Sequence, residues 1–234
     1  MLNNPTAVVK RPYIVGIGGT TRANSSTEKA LKVALRAAEA LGAETVLLGA
    51  EALDLPMYAP ERVERSAAAK RFVGEVRRAD GVILGSPGYH GGISGLVKNA
   101  IDYVEDLSKD TSPYLQGRAI GLIATGAGWQ GAIATLLALR SVVHALRGWP
   151  TPLGVPVNTL EQIFDADGRC LAPKLNEQLA ILAREVVDLT ISEEFHSLNT
   201  TGYPWPRSHW ASSVSCVLLP EPSIPSTMNR RPGY

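Results

Sequence analysis

The first residues whose types and spacing could do chemistry lie at 18–27, directly after a short apolar run. This segment is rich in hydroxyls and small residues, and it leads into a helical pattern. Backbone N–H groups and the dipole at a helix N-terminus favour an anion. Side-chain donors are added by Arg22, Ser25, Ser26 and Thr27. The segment is therefore predicted to bind a phosphate group.

The same segment does not match two other phosphate-binding patterns. It contains no GxxxxGK[ST], so it is not the P-loop of a nucleoside triphosphatase. Gly16 and Gly18 begin a GxGxxG pattern, but Thr21 stands at its last position and no acidic residue stands at 45–50, where the second predicted strand ends. A dinucleotide-binding Rossmann site is therefore disfavoured. The sequence leaves open that Ser25 or Ser26 is only a helix N-cap.

Two further glycine-rich segments, residues 86–92 and 125–131, also follow apolar runs. Glycine lets a flat ligand approach main-chain N–H groups closely, and Tyr89 and His90 add aromatic and polar edges to the first segment. Each segment alone also fits a tight turn before a helix, and Trp129 fits a packing role. Together the three segments predict a phosphate pocket beside two backbone walls around a planar ring.

The elements that would position these segments alternate regularly along the chain. Apolar runs predict strands at residues 13–17, 45–48, 82–85 and 119–125, and a weaker one within 151–157. Helical spacing predicts helices at residues 30–41 (closed by Gly42), 61–78, 94–107, 133–146 and 175–194. Continuous apolar strands alternating with helices are typical of an α/β fold whose parallel sheet is covered on both faces. Ligands bind at the carboxyl ends of such strands.

These motifs resemble those of the NAD(P)H-dependent FMN reductases of flavodoxin-like fold. Residues 18–26 resemble the family's GSxRxxS phosphate loop, residues 86–102 its SPxYxxxxxGxxKNAID signature, and residues 125–131 its glycine-rich third loop. The resemblance covers residues 13–190. It implies a three-layer, doubly wound sandwich with a five-stranded parallel sheet in the order 2-1-3-4-5.

The resemblance also implies a cofactor site for FMN. The phosphate would be held by Thr20, Arg22, Ser25 and Ser26. The isoalloxazine would lie between Pro87, Gly88, Tyr89, His90 and Gly91 on one side and Thr125, Gly126 and Gly128 on the other. Gly88 stands where many members have glutamate, and Thr20 and Thr21 replace a serine and an aliphatic residue.

The function implied is an NAD(P)H-dependent FMN reductase, in which NADPH or NADH passes a hydride to flavin N5. Because the flavin carries the chemistry, no catalytic side chain is assigned and no metal is expected. The enzyme would supply reduced flavin, for example to a flavin-dependent monooxygenase, or reduce a small acceptor.

Three alternatives stay open: an FMN-containing quinone or azo-compound reductase, a flavodoxin-type electron carrier, and an interaction protein with a vestigial pocket. Residues 53–60 and the C-terminal tail would select the acceptor.

Composition limits the partners and the location. The formal net charge of +1 predicts neither nucleic acid nor membrane as a partner. The two cysteines, Cys170 and Cys216, are far apart and predict reduced thiols. Residues 1–12 contain no apolar core of a signal peptide, and no apolar run approaches the roughly 20 residues that span a bilayer. A cytoplasmic location is predicted.

Three regions are predicted: an N-terminal extension at residues 1–12, the FMN-binding domain at 13–195, and a tail rich in proline and serine at 196–234. The tail is predicted to be disordered or to wrap a neighbouring subunit, with Trp205 and Trp210 as anchors. The apolar helices at 94–107 and 133–146 suggest a homodimer or homotetramer, as does the family resemblance.

Overall fold

The fold is an alternation of strands and helices, seen in a computed structural model that describes residues 11–192. The strands are β1 (Tyr13–Gly18), β2 (Glu44–Leu48), β3 (Gly81–Tyr89), β4 (Gly92–Ile93), β5 (Ala119–Gly126) and β6 (Trp149–Asn158). The helices are α1 (Ser26–Ala40), α2 (Ala67–Arg78), α3 (Gly95–Asp102), α4 (Trp129–Ala145) and α5 (Pro173–Ile191), with a 3₁₀ helix at Tyr103–Leu107.

Five strands form a parallel sheet in the order β2-β1-β3-β5-β6, and the two-residue β4 pairs antiparallel with the end of β3. Without β4 this is the predicted order 2-1-3-4-5, which is confirmed. From β1 the chain moves to β2 on one side and then to β3 on the other. The strand order therefore reverses between β1 and β3, and such a switch point leaves a crevice at the carboxyl ends of the strands.

The core consists of two layers, one on each face of the sheet. Neighbouring strand residues point to opposite faces, so Val15 belongs to the same apolar layer as Phe72 and Leu139, whereas Ile14 belongs to the layer of Leu31 and Leu179. The first layer lies under α2, α3 and α4, and the second lies under α1 and α5. The predicted three-layer, doubly wound architecture is confirmed.

Several element boundaries differ from the sequence prediction. The third strand is longer than residues 82–85, because pairing with β5 continues to Pro87 and Thr125. The helix predicted over 61–78 begins only at Ala67, where Ser66 caps it by accepting a hydrogen bond from Ala69 N at 3.1 Å. The helix predicted over 94–107 is α-helical only through α3 and then tightens into the 3₁₀ helix.

The C-terminus of α1 confirms the role predicted for Gly42. This residue has φ of +93°, and its N–H donates to Glu39 O while Ala43 N–H donates to Ala38 O. The pattern is a Schellman motif, which requires a left-handed residue after the helix. It turns the chain directly into β2.

The predictions for residues 1–10 and for the tail, including Trp205, Trp210 and Cys216, lie outside the described residues. Within residues 11–192 no helix is both long enough and apolar enough to cross a membrane. Cys170 is a free thiol among the same residues.

Candidate functional site

The three predicted segments meet at one edge of the sheet. Their strands, β1, β3 and β5, are neighbours, with Gly18 opposite Gly85 and Pro87 opposite Thr125. All three run in the same direction, so their carboxyl ends lie side by side at the switch point. The segments predicted to bind one ligand are thus brought together by the sheet.

The turn after β1 depends on glycine. Gly18 and Gly19 have φ of +144° and +137°, a region that L side chains rarely adopt. A β-carbon on Gly18 would lie 1.9 Å from Gly85 O, in the backbone of the neighbouring strand. No side chain can therefore replace the hydrogen here, and the chain passes close over β3 into the predicted phosphate loop.

The predicted phosphate donors stand around the N-terminus of α1. Ser25 is the N-cap, and its hydroxyl accepts a hydrogen bond from Glu28 N at 3.4 Å. The Thr20 hydroxyl bonds to the backbone N–H and carbonyl of Arg22, each at 3.1 Å. The first N–H groups of a helix, here those of Ser26 and Thr27, have no partner within the helix. Arg22 is exposed, and within residues 11–192 its guanidinium has neither a hydrogen-bond nor an ion-pair partner.

Glu28 stabilises this loop, although it was not among the predicted site residues. Its carboxylate accepts from Asn24 N at 3.1 Å and pairs with Lys32 at 2.7 Å. Lys32 in turn donates to the Asn24 side chain at 2.9 Å, where Asn24 has φ of +57°. Ser25 and Glu28 have the S-x-x-E spacing of a capping box, which is the signal that could have found this role. Lys32 offsets a negative charge beside a loop predicted to bind an anion.

The second segment is a β-hairpin rather than the predicted loop. β3 continues to Tyr89, and β4 returns from Gly92. The two residues between them, His90 and Gly91, have φ of +51° and +83°. Two positive φ angles in a two-residue connection are typical of a type I′ turn. Tyr89 and His90 are exposed at this tip.

A serine pair closes the base of the hairpin. Ser94 N donates to the buried Ser86 hydroxyl at 3.1 Å, and that hydroxyl donates to Pro87 O at 2.9 Å. The Ser94 side chain also caps α3 by accepting from Val97 N at 3.3 Å. The hairpin is thereby fixed to the first turn of the helix that follows it.

The glycines predicted to line the ring fall into two groups. A β-carbon on Gly88 would lie 2.4 Å from Thr135 Oγ1, and one on Gly126 would lie 2.8 Å from Ala132 N. These two glycines therefore allow α4 to pack closely. By contrast, open space surrounds the missing β-carbons of Gly91, Gly92, Gly128 and Gly131. The second group leaves backbone accessible to a ligand.

Thr125 has its hydroxyl turned inward. Its oxygen lies 2.6 Å from the hydroxyl of Thr27, and both residues are buried. This bond joins the end of β5 to the first turn of α1. The side chain predicted to touch the flavin is thus bound within the protein, so only the backbone of Thr125 could take the predicted role.

Asn158, at the end of β6, holds the third segment. Its side-chain oxygen accepts from Gly128 N at 3.0 Å and from Leu160 N at 3.1 Å. Gly128, with φ of +108°, is the N-cap of α4 and has no side chain to cap the helix. Asn158 was not among the predicted site residues, because only the pairing of Gly126 with Asn158 in the sheet brings it here.

The carboxyl edge of the sheet is exposed to solvent at the candidate site. Tyr89 is 55% exposed and Trp129, the first residue of α4, is 53% exposed. A surface cavity of about 190 Å³ at residues 56–66 and one of about 680 Å³ between α1 and α5 are lined by no residue of the three segments. The candidate site is therefore a shallow cradle of backbone and helix N-termini.

Comparison with known proteins identifies a family. The model of the NADPH-dependent FMN reductase family matches residues 12–160. An NAD(P)H-dependent FMN reductase of Pseudomonas aeruginosa is 27% identical over 170 residues, which cover 70% of this chain and 87% of that protein. An FMN-dependent NADPH-azoreductase of Staphylococcus haemolyticus is 29% identical over 140 residues, covering 60% of this chain and 70% of that protein.

Solved structures share the fold. A flavoenzyme NAD(P)H:(acceptor) oxidoreductase of Paracoccus denitrificans has a TM-score of 0.64 at 22% identity, covering 76% of this chain and 96% of that one. The family match spans well over half of the chain, from β1 to the end of β6. It therefore includes all three segments that meet at the switch point. The chain belongs to the NADPH-dependent FMN reductase family.

Proposed function

We propose that this protein binds FMN at the carboxyl edge of its sheet and uses it to oxidise NAD(P)H. The observation that carries the proposal is the position of the phosphate loop. The Gly18–Gly19 turn follows β1 beside β3 and leads to the N-terminus of α1 through a loop that carries Arg22. In sheets of this order FMN lies at that switch point.

The residues present fit a flavin with a terminal phosphate. Free N–H groups at the start of α1 and the positive end of its dipole favour a dianion. Arg22 can supply a charge-assisted bond, because within the described chain its guanidinium has no other partner. The open backbone at Gly91 and Gly128 gives a planar ring access to main-chain groups on two sides.

The protein's part in the reaction is to bind and orient. Bound FMN would supply the hydride-accepting atom, so no residue of the chain needs to act as a catalytic acid or base. Asn158 and the Ser86–Ser94 pair fix the backbone of the two ring-lining segments. Glu28 fixes the phosphate loop. Four of the predicted residues, Arg22, Tyr89, His90 and Gly91, are exposed at this edge.

A second copy of the chain would cover the open side of the site. α4 exposes Trp129, Ile133 and Leu137 at intervals of four residues, with exposed fractions of 53%, 47% and 62%. Such spacing places them in one stripe along the helix, beginning at the rim of the site. The apolar residues Val97, Ala100 and Ile101 of α3 are instead buried in the core. We therefore assign the homo-oligomer interface to α4.

The test is oxidation of NADH and of NADPH by the purified protein, with and without added FMN, together with a visible absorption spectrum. We expect oxidation that depends on FMN. Flavin binding without oxidation would instead indicate an electron carrier, and the absence of both would contradict the proposal. A recipient monooxygenase and the cytoplasmic location stay predictions.

A further inference from the structure

The cavity between α1 and α5 lies on the face of the sheet opposite α4. Its volume is about 680 Å³, and ligand pockets commonly measure roughly 300–1,000 Å³. Its polar lining comes from α1, from the loop that follows β6 and from α5, namely Arg36, Asp167, Arg169, Cys170 and Asn176. None of these residues belongs to the candidate flavin site, so this α1–α5 cleft needs a separate explanation.

One wall of the α1–α5 cleft is fixed by hydrogen bonds within the protein. Phe164 and Cys170 pair as an antiparallel bridge. Between them Asp165 N donates to Arg169 O at 3.0 Å, and Arg169 N donates to the Asp165 carboxylate at 2.7 Å. Lys29 of α1 donates to Asp165 O at 2.8 Å, which ties this loop to the helix. The backbone of Arg169 is therefore in place before any ligand binds.

Two guanidinium groups in the cleft are available to a ligand. Three cations stand on α1. Lys29 donates to the loop carbonyl, and Lys32 pairs with a glutamate of its own helix at 2.7 Å. Within residues 11–192 the guanidinium of Arg36, the third cation, has neither a hydrogen-bond nor an ion-pair partner, and the same holds for that of Arg169. Arginines that line one cleft and bind nothing else in the described chain can bind an anionic ligand.

The cleft also contains a negative charge. Asp167 lies in its lining, and within the described part of the chain its carboxylate has neither a hydrogen-bond nor an ion-pair partner. This carboxylate would repel an inorganic phosphate, whereas it would attract a ligand that carries an ammonium group as well as anionic groups. The two arginines stand on separate elements, which suits two separate anionic groups better than a single one.

The rest of the lining suits a small polar molecule with an apolar middle. The Asn176 amide offers both donors and an acceptor. It lies in the first turn of α5, whose N-cap Ala172 has no polar side chain, so the positive end of the helix dipole lies beside the cleft. Apolar surface is supplied by Val33, Ala37 and Ala180.

We propose that the α1–α5 cleft is a second ligand site, which binds a small acidic peptide with two carboxylates and one ammonium group. Arg36 and Arg169 would each take one carboxylate, because the planar guanidinium fork matches a carboxylate in two hydrogen bonds. Asp167 would take the ammonium group. This site needs neither flavin nor NAD(P)H, so it goes beyond the proposed function.

The first experiment measures binding of S-methylglutathione to the full chain by isothermal titration calorimetry. This probe carries two carboxylates and one ammonium group, and its blocked sulfur cannot form a disulfide. Arg36→Gln and Arg169→Gln should each weaken binding about tenfold, because each removes a charge-assisted hydrogen bond. The matched control is Arg184→Gln, since Arg184 is exposed on α5 but does not line the cleft. No binding by the parent protein, or an equal loss in Arg184→Gln, would overturn the proposal.

The second experiment locates the probe through Cys170. Cys216→Ser leaves Cys170 as the one thiol of the chain, and this thiol lies partly exposed in the cleft. S-methylglutathione at ten times its dissociation constant should slow alkylation by N-ethylmaleimide about tenfold, because roughly one molecule in eleven is then free. Inorganic phosphate at the same ionic strength should not protect. Unprotected Cys170, or equal protection by phosphate, would contradict the site or its ligand class.

The third experiment tests the pairing of Asp167 with the ammonium group. N-acetyl-S-methylglutathione, which lacks that charge, should bind the parent protein roughly fivefold more weakly than S-methylglutathione. Asp167→Asn should weaken S-methylglutathione by a similar factor and leave the acetylated probe unchanged. An equal effect of Asp167→Asn on both probes would refute this pairing. None of the three experiments depends on turnover, so failure to oxidise NAD(P)H would count against the proposed function alone.

Discussion

At the scale of single residues, glycine has two distinct purposes at the carboxyl edge. Gly88 and Gly126 leave room for α4, whereas Gly91 and Gly128 leave backbone open to a ligand. Their sequence contexts are alike, because all four lie in the two glycine-rich segments at residues 86–92 and 125–131. Which purpose applies depends on the direction in which the missing side chain would point.

Replacement of Gly88 by alanine should lower the free energy of unfolding by about 1–3 kcal/mol, since the added carbon would lie 2.4 Å from Thr135 Oγ1. The same substitution in a Thr135→Ala background should cost less, because the clashing hydroxyl is gone. Urea denaturation of the four proteins measures this coupling. Gly92→Ala is the control, as no atom lies within 4 Å of its missing β-carbon. Equal costs in both backgrounds would contradict the packing role of Gly88.

Asn158→Ala should weaken FMN binding about tenfold, because the Gly128 and Leu160 N–H groups lose their shared acceptor. Quenching of flavin fluorescence measures the dissociation constant. Glu161→Gln serves as the control, because Glu161 contacts only the outer, nitrogen end of the Asn158 amide. An FMN affinity equal to that of the parent protein would show that the third segment does not depend on Asn158.

At the scale of elements, helix N-termini border the carboxyl edge of the sheet, whereas side-chain contacts join α2 to the sheet at the amino edge. α1 and α3 each begin with a serine cap, and both helices follow a segment of the candidate site. At the amino end of the sheet the Tyr13 hydroxyl donates to Glu75 of α2 at 2.5 Å, and Arg78 lies over the Tyr13 ring. This contact joins β1 to α2 away from the site.

Burial, followed by the hydrogen bond to Glu75, raises the pKa of Tyr13 to about 12 from an ordinary value of 10.0. As the pH rises from 10 to 12, the unfolded chain loses this proton first, so the free energy of unfolding falls. Tyr13→Phe removes that contribution. We expect the stability difference between the parent and Tyr13→Phe to shrink across this window, as measured by chemical denaturation at each pH. A difference that stays constant from pH 9 to pH 12 would contradict the raised pKa.

At the scale of the whole molecule, the exposed stripe of α4 is the feature that a single copy of the chain does not explain. Trp129, Ile133 and Leu137 lie along one side of a helix whose other side packs on the sheet. The stripe starts at the third segment of the candidate site. Association through it would therefore bring a second chain to the rim of the cradle.

Leu137→Glu should convert the proposed homo-oligomer to monomers, because a buried, unpaired carboxylate would be costly in an apolar interface. Light scattering after size-exclusion chromatography measures the mass. The matched control is Ile181→Glu on α5, which is exposed on the opposite face of the sheet. Two results would contradict the assignment: a monomeric parent protein, or a Leu137→Glu variant that keeps the parent's mass.

The sequence by itself determined the α/β alternation, the strand order through family resemblance, and the places where the chain turns. These depend on neighbours along the chain: apolar periodicity, serine caps and glycines such as Gly18 and Gly42, whose positive φ follows from the turn they make. Tertiary structure alone decided that Asn158 holds the third segment, that Thr125 turns inward to Thr27, and that α4 rather than α3 is left exposed. Such contacts join residues far apart in sequence, so they exist only once strand pairing and helix packing have placed the elements side by side.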